Sequence, residues 1–253
     1  MASSSSRAKK SRSGGGYLSS ARHPWPCFLF LLPLLLVYEG GIVWMGGAQA
    51  ELLRTGADTW LHWGLEACGL QHFYWGPGLV VVLLLGWCWL RRGDRPGDPA
   101  GVCMGMAIES VVFALGLWGI SRGLSPLLDS FGVKLAAAPP PAQETLREII
   151  TYVGAGLYEE VLFRLLLFSG LVWLLKLIEV PSLPALLAAA AASALVFSAA
   201  HHLGPYGESF DGYAFLFRTL AGLYFTLLFQ LRGFGVAVGA HACYDVVVGV
   251  MLG

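Results

Sequence analysis

The feature that most restricts what this chain can fold into is a succession of long apolar runs, cut by short breaks rich in Gly, Pro and charge. A helix needs ~20 mostly apolar residues to cross the hydrocarbon core of a bilayer. Runs of about that size lie near 27–47, 76–90, 102–121, 149–178, 184–202, 213–231 and 234–252. They predict an all-α fold, a polytopic membrane helical bundle of about seven transmembrane helices. Composition agrees, since 56% of residues are hydrophobic, 13% are charged and the mean hydropathy is +0.65. Such a chain cannot cover itself with the polar surface a soluble domain needs.

The breaks organise the chain. "RRGDRPGDP" and "AAAPPPAQ" read as loops, because their Pro and Gly residues stop helices. "WLHWGLEACGLQHFYW" is amphipathic and rich in Trp and His, and reads as a helix lying at the interface. The start is Ser/Gly-rich and carries Arg7, Lys9, Lys10, Arg12 and Arg22 without an acid, the pattern of a disordered basic tail. "CFLFLLPLLLVYEGGIVWMGG" is long enough to span and lacks a small-x-small cleavage site after a short apolar core, so it reads as an uncleaved first span. The expected division is a tail at 1–26, accessory transmembrane helices and loops at 27–144, and a functional unit at 145–253. No repeat of 20–50 residues is visible.

Net charge is formally zero, which excludes the basic footprint of a nucleic-acid partner. The five cysteines have no C-x-x-C spacing and read as packing residues. With the N-terminus inside, inner segments hold ten basic residues, the five of the tail with Arg91, Arg92, Arg95, Lys176 and Arg232. Outer segments hold four, Arg54, Arg122, Lys134 and Arg147. The positive-inside rule therefore favours an inner N-terminus and an external C-terminus.

Ionisable side chains at membrane depth are costly and usually line a cavity, pair with one another or mark a reaction path. Here they gather in the last hundred or so residues: Glu159, Glu160 and Arg164 in "GLYEEVLFRLLLF", His201 and His202 in "VFSAAHHLG", Arg218, and His241 with Asp245 in "GAHACYDVVVG". The first half offers Glu39 and Glu109 at comparable depth. Positions four apart share a helix face. Glu160 and Arg164 can thus form an ion pair that lowers the cost of burying both, while Glu159, turned about 100° away, keeps a free carboxylate. His241 and Asp245 repeat the spacing, so Asp245 can orient the imidazole. Phe197 is four residues before His201 and offers it an aromatic wall. Each fragment alone has a structural explanation, a clasp or an interfacial histidine; their joint occurrence on three helices points to a functional centre.

Taken in order, "EEVLFR", "FSAAH" and "HACYD" read as E-E-x-x-x-R, F-x-x-x-H and H-x-x-x-D/N. The ordered triplet resembles the CAAX protease and bacteriocin-processing family of intramembrane endopeptidases, which includes the Ras-converting enzyme, over about residues 145–253. The first half carries no signature of that family. The resemblance implies hydrolysis of a peptide bond in a membrane-anchored or lipidated protein or peptide, with the bacterial cytoplasmic membrane as the expected location. It implies Glu159 as general base and His201 as the group that helps position or deprotonate the water. His241 and Asp245 stand where the family stabilises the oxyanion, with Glu160, Arg164 and Phe197 in support. Because Asp245 stands where other members have Asn, and a carboxylate donates no hydrogen bond unless protonated, orienting or charging His241 suits it better.

No cofactor is expected for this mechanism. A zinc-dependent version is the alternative, with Glu159, His201 and His241 as ligands; a helical H-E-x-x-H is absent, as are serine and aspartyl intramembrane-protease motifs. Two other classes fit the same residues: a transporter with a proton or metal-ion relay, disfavoured by the lack of an inverted repeat, and a catalytically silent scaffold. Depth poses one conflict. Entering from outside at Ile149, Glu159 lies ~15 Å down, and His241 lies ~10 Å from the inner end of its span. His201, seventeen residues after Pro184, falls near the outer boundary.

Overall fold

The computed structural model describes residues 16–133, 145–204 and 207–251, which form helices and no strands. The order is α1 (Tyr17–Ala21), α2 (Pro24–Gly46), a 3₁₀ segment (Gly47–Leu53), α3 (Gly56–Ala67), α4 (Trp75–Leu90), a 3₁₀ turn (Arg92–Asp94) and α5 (Pro99–Ser130). Then come α6 (Thr145–Glu160), a π-helical stretch (Val161–Phe168), α7 (Ser169–Leu177), α8 (Ser182–Ala200), α9 (Gly212–Arg232) and α10 (Phe234–Val246), which ends in a π turn at Val247–Met251. Every apolar run of the sequence is helical over most of its described residues. Four stretches are long and apolar enough to cross a membrane, Pro24–Leu53, Pro99–Ser130, Ser182–Ala200 and Gly212–Arg232, and the shorter apolar helices Trp75–Leu90 and Phe234–Val250 accompany them.

Local chemistry sets the helix starts. His23 caps α2 by accepting the Trp25 N–H at Nδ1, and Pro24 occupies a first-turn position that needs no donor. Asp98 and Asp211 cap α5 and α9 by accepting the Gly101 and Ala214 N–H groups at 2.9 and 2.7 Å. Gly233, at φ +96°, makes the tight reversal between α9 and α10.

The bundle is built around α10, every residue of which from Phe234 to Ala242 is buried. It packs against α2, α5, α6 and α9. Outer faces are apolar instead of polar: Leu36, Val82, Ile108, Val112, Leu187 and Leu227 are all exposed. That inversion is what lipid as a solvent permits, because backbone polar groups are satisfied within the helices.

Two expectations change. The basic tail does not run to residue 26 as disordered chain, because residues 16–26 are helical or capping, and Ala21 is buried with Met106 and Val236. The apolar Ala21 and the proline start of α2 give this end something to pack. The remainder of the tail, like the "AAAPPPAQ" loop, lies outside the described residues. The fourth run is also not a uniform α-helix: eight residues after Glu160 are wound as π-helix. Ser193 of α8 donates to the Phe163 carbonyl at 2.7 Å, and Ser169 donates to that of Arg164 at 3.0 Å. Both bonds supply partners that the wider winding displaces.

Candidate active site

Seven side chains named from the sequence come together where α6, α8 and α10 meet. Glu160 is fully buried at the end of α6, and its Oε1 lies 3.1 Å from Arg164 Nη1. The same oxygen lies 2.8 Å from His241 Nδ1 across the α6–α10 contact. An ionised carboxylate only accepts, so His241 carries its proton on Nδ1 and turns Nε2 the other way. There Nε2 faces Glu159 Oε2 at 3.6 Å and Asp245 Oδ2 at 3.5 Å. The ring stacks on Phe225 with centroids 4.3 Å apart and meets Phe197 edge-on at 5.9 Å.

His201 sits just past the last residue of α8. Its Nδ1 lies 2.9 Å from the Phe197 carbonyl oxygen, an obligatory acceptor, so Nδ1 holds the proton and Nε2 presents a lone pair. That Nε2 is 3.9 Å from Glu159 Oε2. The Glu159 carboxylate thus stands between two imidazole Nε2 atoms, and its side chain is 14% exposed where that of Glu160 is 0%. Phe197 is the common wall: it touches both imidazoles, meets Phe163 edge-on, and lies under the Arg164 guanidinium at 4.5 Å. Arg164 also donates from Nη2 to the Gly222 carbonyl of α9 at 3.2 Å.

The depth conflict resolves through offset. His201 is reached after ~28 Å of α8 and His241 after ~10 Å of α10, so helices that bring both to Glu159 cannot run level. Close approach of α6 and α10 is set by Gly156, where an added Cβ would lie 2.6 Å from the Ala242 nitrogen. His202 and Arg218 take no part in the cluster. The His202 ring lies beside Phe210 and Phe215, and Arg218 holds Glu208 through two contacts of 2.8 and 2.9 Å.

A cleft of about 120 Å³ opens onto Glu159 and His201. Phe163 and Glu208 line it from the C-terminal half, and Gly56 and Trp60 of α3 line it from the other side. The helix expected at the interface therefore forms one wall of the site. A polar network seats it there. Arg54 Nη1 lies 2.6 Å from Asp58 Oδ2, and Tyr38 donates to the same oxygen at 2.8 Å. Arg54 also lies 3.5 Å from Glu39, which accepts from Tyr158, the neighbour of Glu159. His62 extends the network, with Nδ1 3.0 Å from Asp58 Oδ1 and Nε2 3.2 Å from the Phe73 carbonyl. Burial works against a charge on His62, but hydrogen bonding to Asp58 and its negative charge outweigh that and push its pKa up to about 9. Among these residues, the sequence points to Glu39 for its depth and to Arg54 for its charge, and to neither as a partner of the other.

Residues 141–247 match the family model described as type II CAAX prenyl endopeptidase Rce1-like. Helices α6 to α10 lie within the matched segment, which supports the family that the motifs resemble. The matched segment contains Glu159, Glu160, Arg164, Phe197, His201, His241 and Asp245. The protein is accordingly a peptidase of the membrane, a hydrolase acting on peptide bonds. No curated protein and no solved structure matches the chain.

Proposed function

We propose that this protein is an intramembrane glutamic-type endopeptidase in which Glu159 activates water against a peptide bond of a membrane-anchored or lipidated substrate. The observation that carries the reading is the placement of Glu159 Oε2, in the cleft, 3.9 Å from His201 Nε2 and 3.6 Å from His241 Nε2. Those separations exceed direct hydrogen bonds and suit groups that share one small oxygen species. A water held by Glu159 and the His201 lone pair loses a proton to Glu159 as its oxygen bonds to the scissile carbonyl carbon. The tetrahedral oxyanion accepts from Nε2–H of His241 in its protonated form. Glu159 then returns the proton to the leaving nitrogen as the C–N bond breaks, giving one acid and one amine.

Supporting residues divide the remaining work. Glu160 accepts from Nδ1–H of His241 and so sets the ring's orientation, Arg164 compensates the buried Glu160 charge, and Asp245 orients His241 from one turn away. Among the described residues no group of three or more His, Cys, Asp or Glu side chains is arranged to hold a metal ion, so no step is routed through one.

With the N-terminus inside the cytoplasmic membrane, as the basic residues favour, the C-terminal end of α8 and the start of α3 lie at the outer side, and the cleft opens there. Comparative proteomics of membrane-anchored peptides in cells with wild-type or Glu159→Ala protein tests the reading. New termini near the outer surface that depend on Glu159 support it; identical peptide profiles contradict it.

A further inference from the structure

The cleft at Glu159 has one wall that the matched segment does not supply. Helix α3 ends at Ala67, whereas the family match begins at residue 141. Gly56 and Trp60 line the cleft from α3, opposite Phe163, Ala200 and Leu203. Being four apart, they share one helix face. Trp60 reaches across the opening: a Cβ at Gly204, in the turn after α8, would lie 3.8 Å from its Nε1. Gly56 does the opposite, since a Cβ built there meets no atom within 4 Å. The α3 face is therefore a bulky indole beside a bare stretch of backbone that leaves room for a side chain.

This wall is fixed in place. Ala57 and Leu61 are buried in the core with Tyr38 and Leu157, and the fully buried Asp58 is held by Arg54 and Tyr38. A wall that cannot yield discriminates by size, because surplus atoms meet packed groups instead of room. The free volume of about 120 Å³ is less than the ~150 Å³ of a cavity that takes up one benzene ring. Charge narrows the choice further. Glu208 at the rim is occupied by Arg218 through both oxygens, at 2.9 and 2.8 Å, and among the described residues no Lys or Arg lines the cleft. A carboxylate entering beside Glu159 would meet like charge without a counter-ion.

We infer that α3 is the specificity wall of this peptidase: the cleft receives one uncharged substrate side chain beside the scissile bond, and Trp60 sets the upper limit of its size. The inference rests on the reading of Glu159 as the base, because that carboxylate lines the same cleft. Side chains up to about the size of leucine enter; Phe, Tyr and Trp are stopped by the indole, and Asp and Glu by the Glu159 charge. Selection is thus made by a helix outside the segment that carries the catalytic residues.

The test uses peptides anchored in vesicles by one apolar helix, with a randomised stretch next to the anchor. Mass spectrometry reads the residues on both sides of each cut made by full-length wild type, Trp60→Ala, Gly56→Leu and Glu159→Gln, each shown to be folded by its thermal transition. Wild type is expected to exclude aromatic residues at one flanking position. At that same position Trp60→Ala raises cleavage at aromatic residues relative to Leu about tenfold or more. Gly56→Leu, whose Cβ enters open space, raises Ala relative to Leu by a similar factor. Opposed shifts at one position are what a purely structural role of α3 would not give. Profiles unchanged in both variants, or a uniform loss of rate with the ratios kept, overturn the inference, and the proposed function stands beside that result where Glu159→Gln is inactive. Wild-type cleavage by Glu159→Gln removes the proposed function and the inference together.

Discussion

Oε1 of Glu160 lies 2.8 Å from Nδ1 of His241, and through that contact a charge fixed by Arg164 on one helix decides which nitrogen of His241 faces Glu159. Two adjacent glutamates are thereby given unlike tasks. One is fully buried between Arg164 and His241; the other is partly exposed and faces both imidazoles.

Replacing Glu160 by Gln leaves Arg164 a buried guanidinium without its counter-charge. Loss of one partner of a buried pair costs about 3–5 kcal/mol. Glu160→Gln is expected to lower the unfolding temperature in detergent substantially and to reduce cleavage with it. A variant as stable as wild type would show that Arg164 does not depend on this carboxylate.

Gly156→Ala tests the helix approach that places the site. The added methyl meets backbone atoms of Ala242, which cannot swing aside as a side-chain end does. Overpacking costs about 1–3 kcal/mol, and displacement of α6 from α10 by ~1 Å lowers turnover on the order of a hundredfold. Peptide cleavage and thermal unfolding measured on one preparation check both, and unchanged turnover would contradict the packing account.

How much of this was legible beforehand follows from the range of each interaction. The apolar runs and the i, i+4 pairs Glu160–Arg164 and His241–Asp245 are local, so periodicity finds them. The first-half network is not local: Glu39 and Tyr158 are 119 residues apart, and nothing near either one announces the other. The π-helical stretch escaped for a similar reason, since the serine that accommodates the Phe163 carbonyl comes from α8. Placing His201 at Glu159 required the offset of α8 and α10, which helix lengths alone do not contain.

The α3 network has a pH signature. His62 lies between acceptors on both ring nitrogens, which favours its doubly protonated form, and its pKa rises to about 9 from an ordinary value near 6.5. A raised native pKa contributes stability that is full below ~6.5 and lost as pH climbs through about 9. Wild type is expected to lose thermal stability between those limits, and His62→Gln to lose distinctly less. Parallel pH profiles for the two proteins would remove His62 from the network.

Metal dependence separates the glutamate mechanism from its zinc alternative. Protein prepared metal-free, with metal content verified by elemental analysis, is expected to cleave at the wild-type rate in the presence of chelator. Activity that vanishes and returns with stoichiometric Zn²⁺ would assign Glu159, His201 and His241 to the ion instead.

The most direct measurement is cleavage of a membrane-anchored peptide by purified wild-type and Glu159→Gln protein, with the unfolding temperature of each determined in the same detergent. Gln keeps the size of the side chain and cannot take a proton from water. The expected result is an unchanged unfolding temperature with cleavage reduced by a factor on the order of 10²–10⁴ or more. Wild-type turnover by folded Glu159→Gln protein would contradict the assignment of Glu159 as the base.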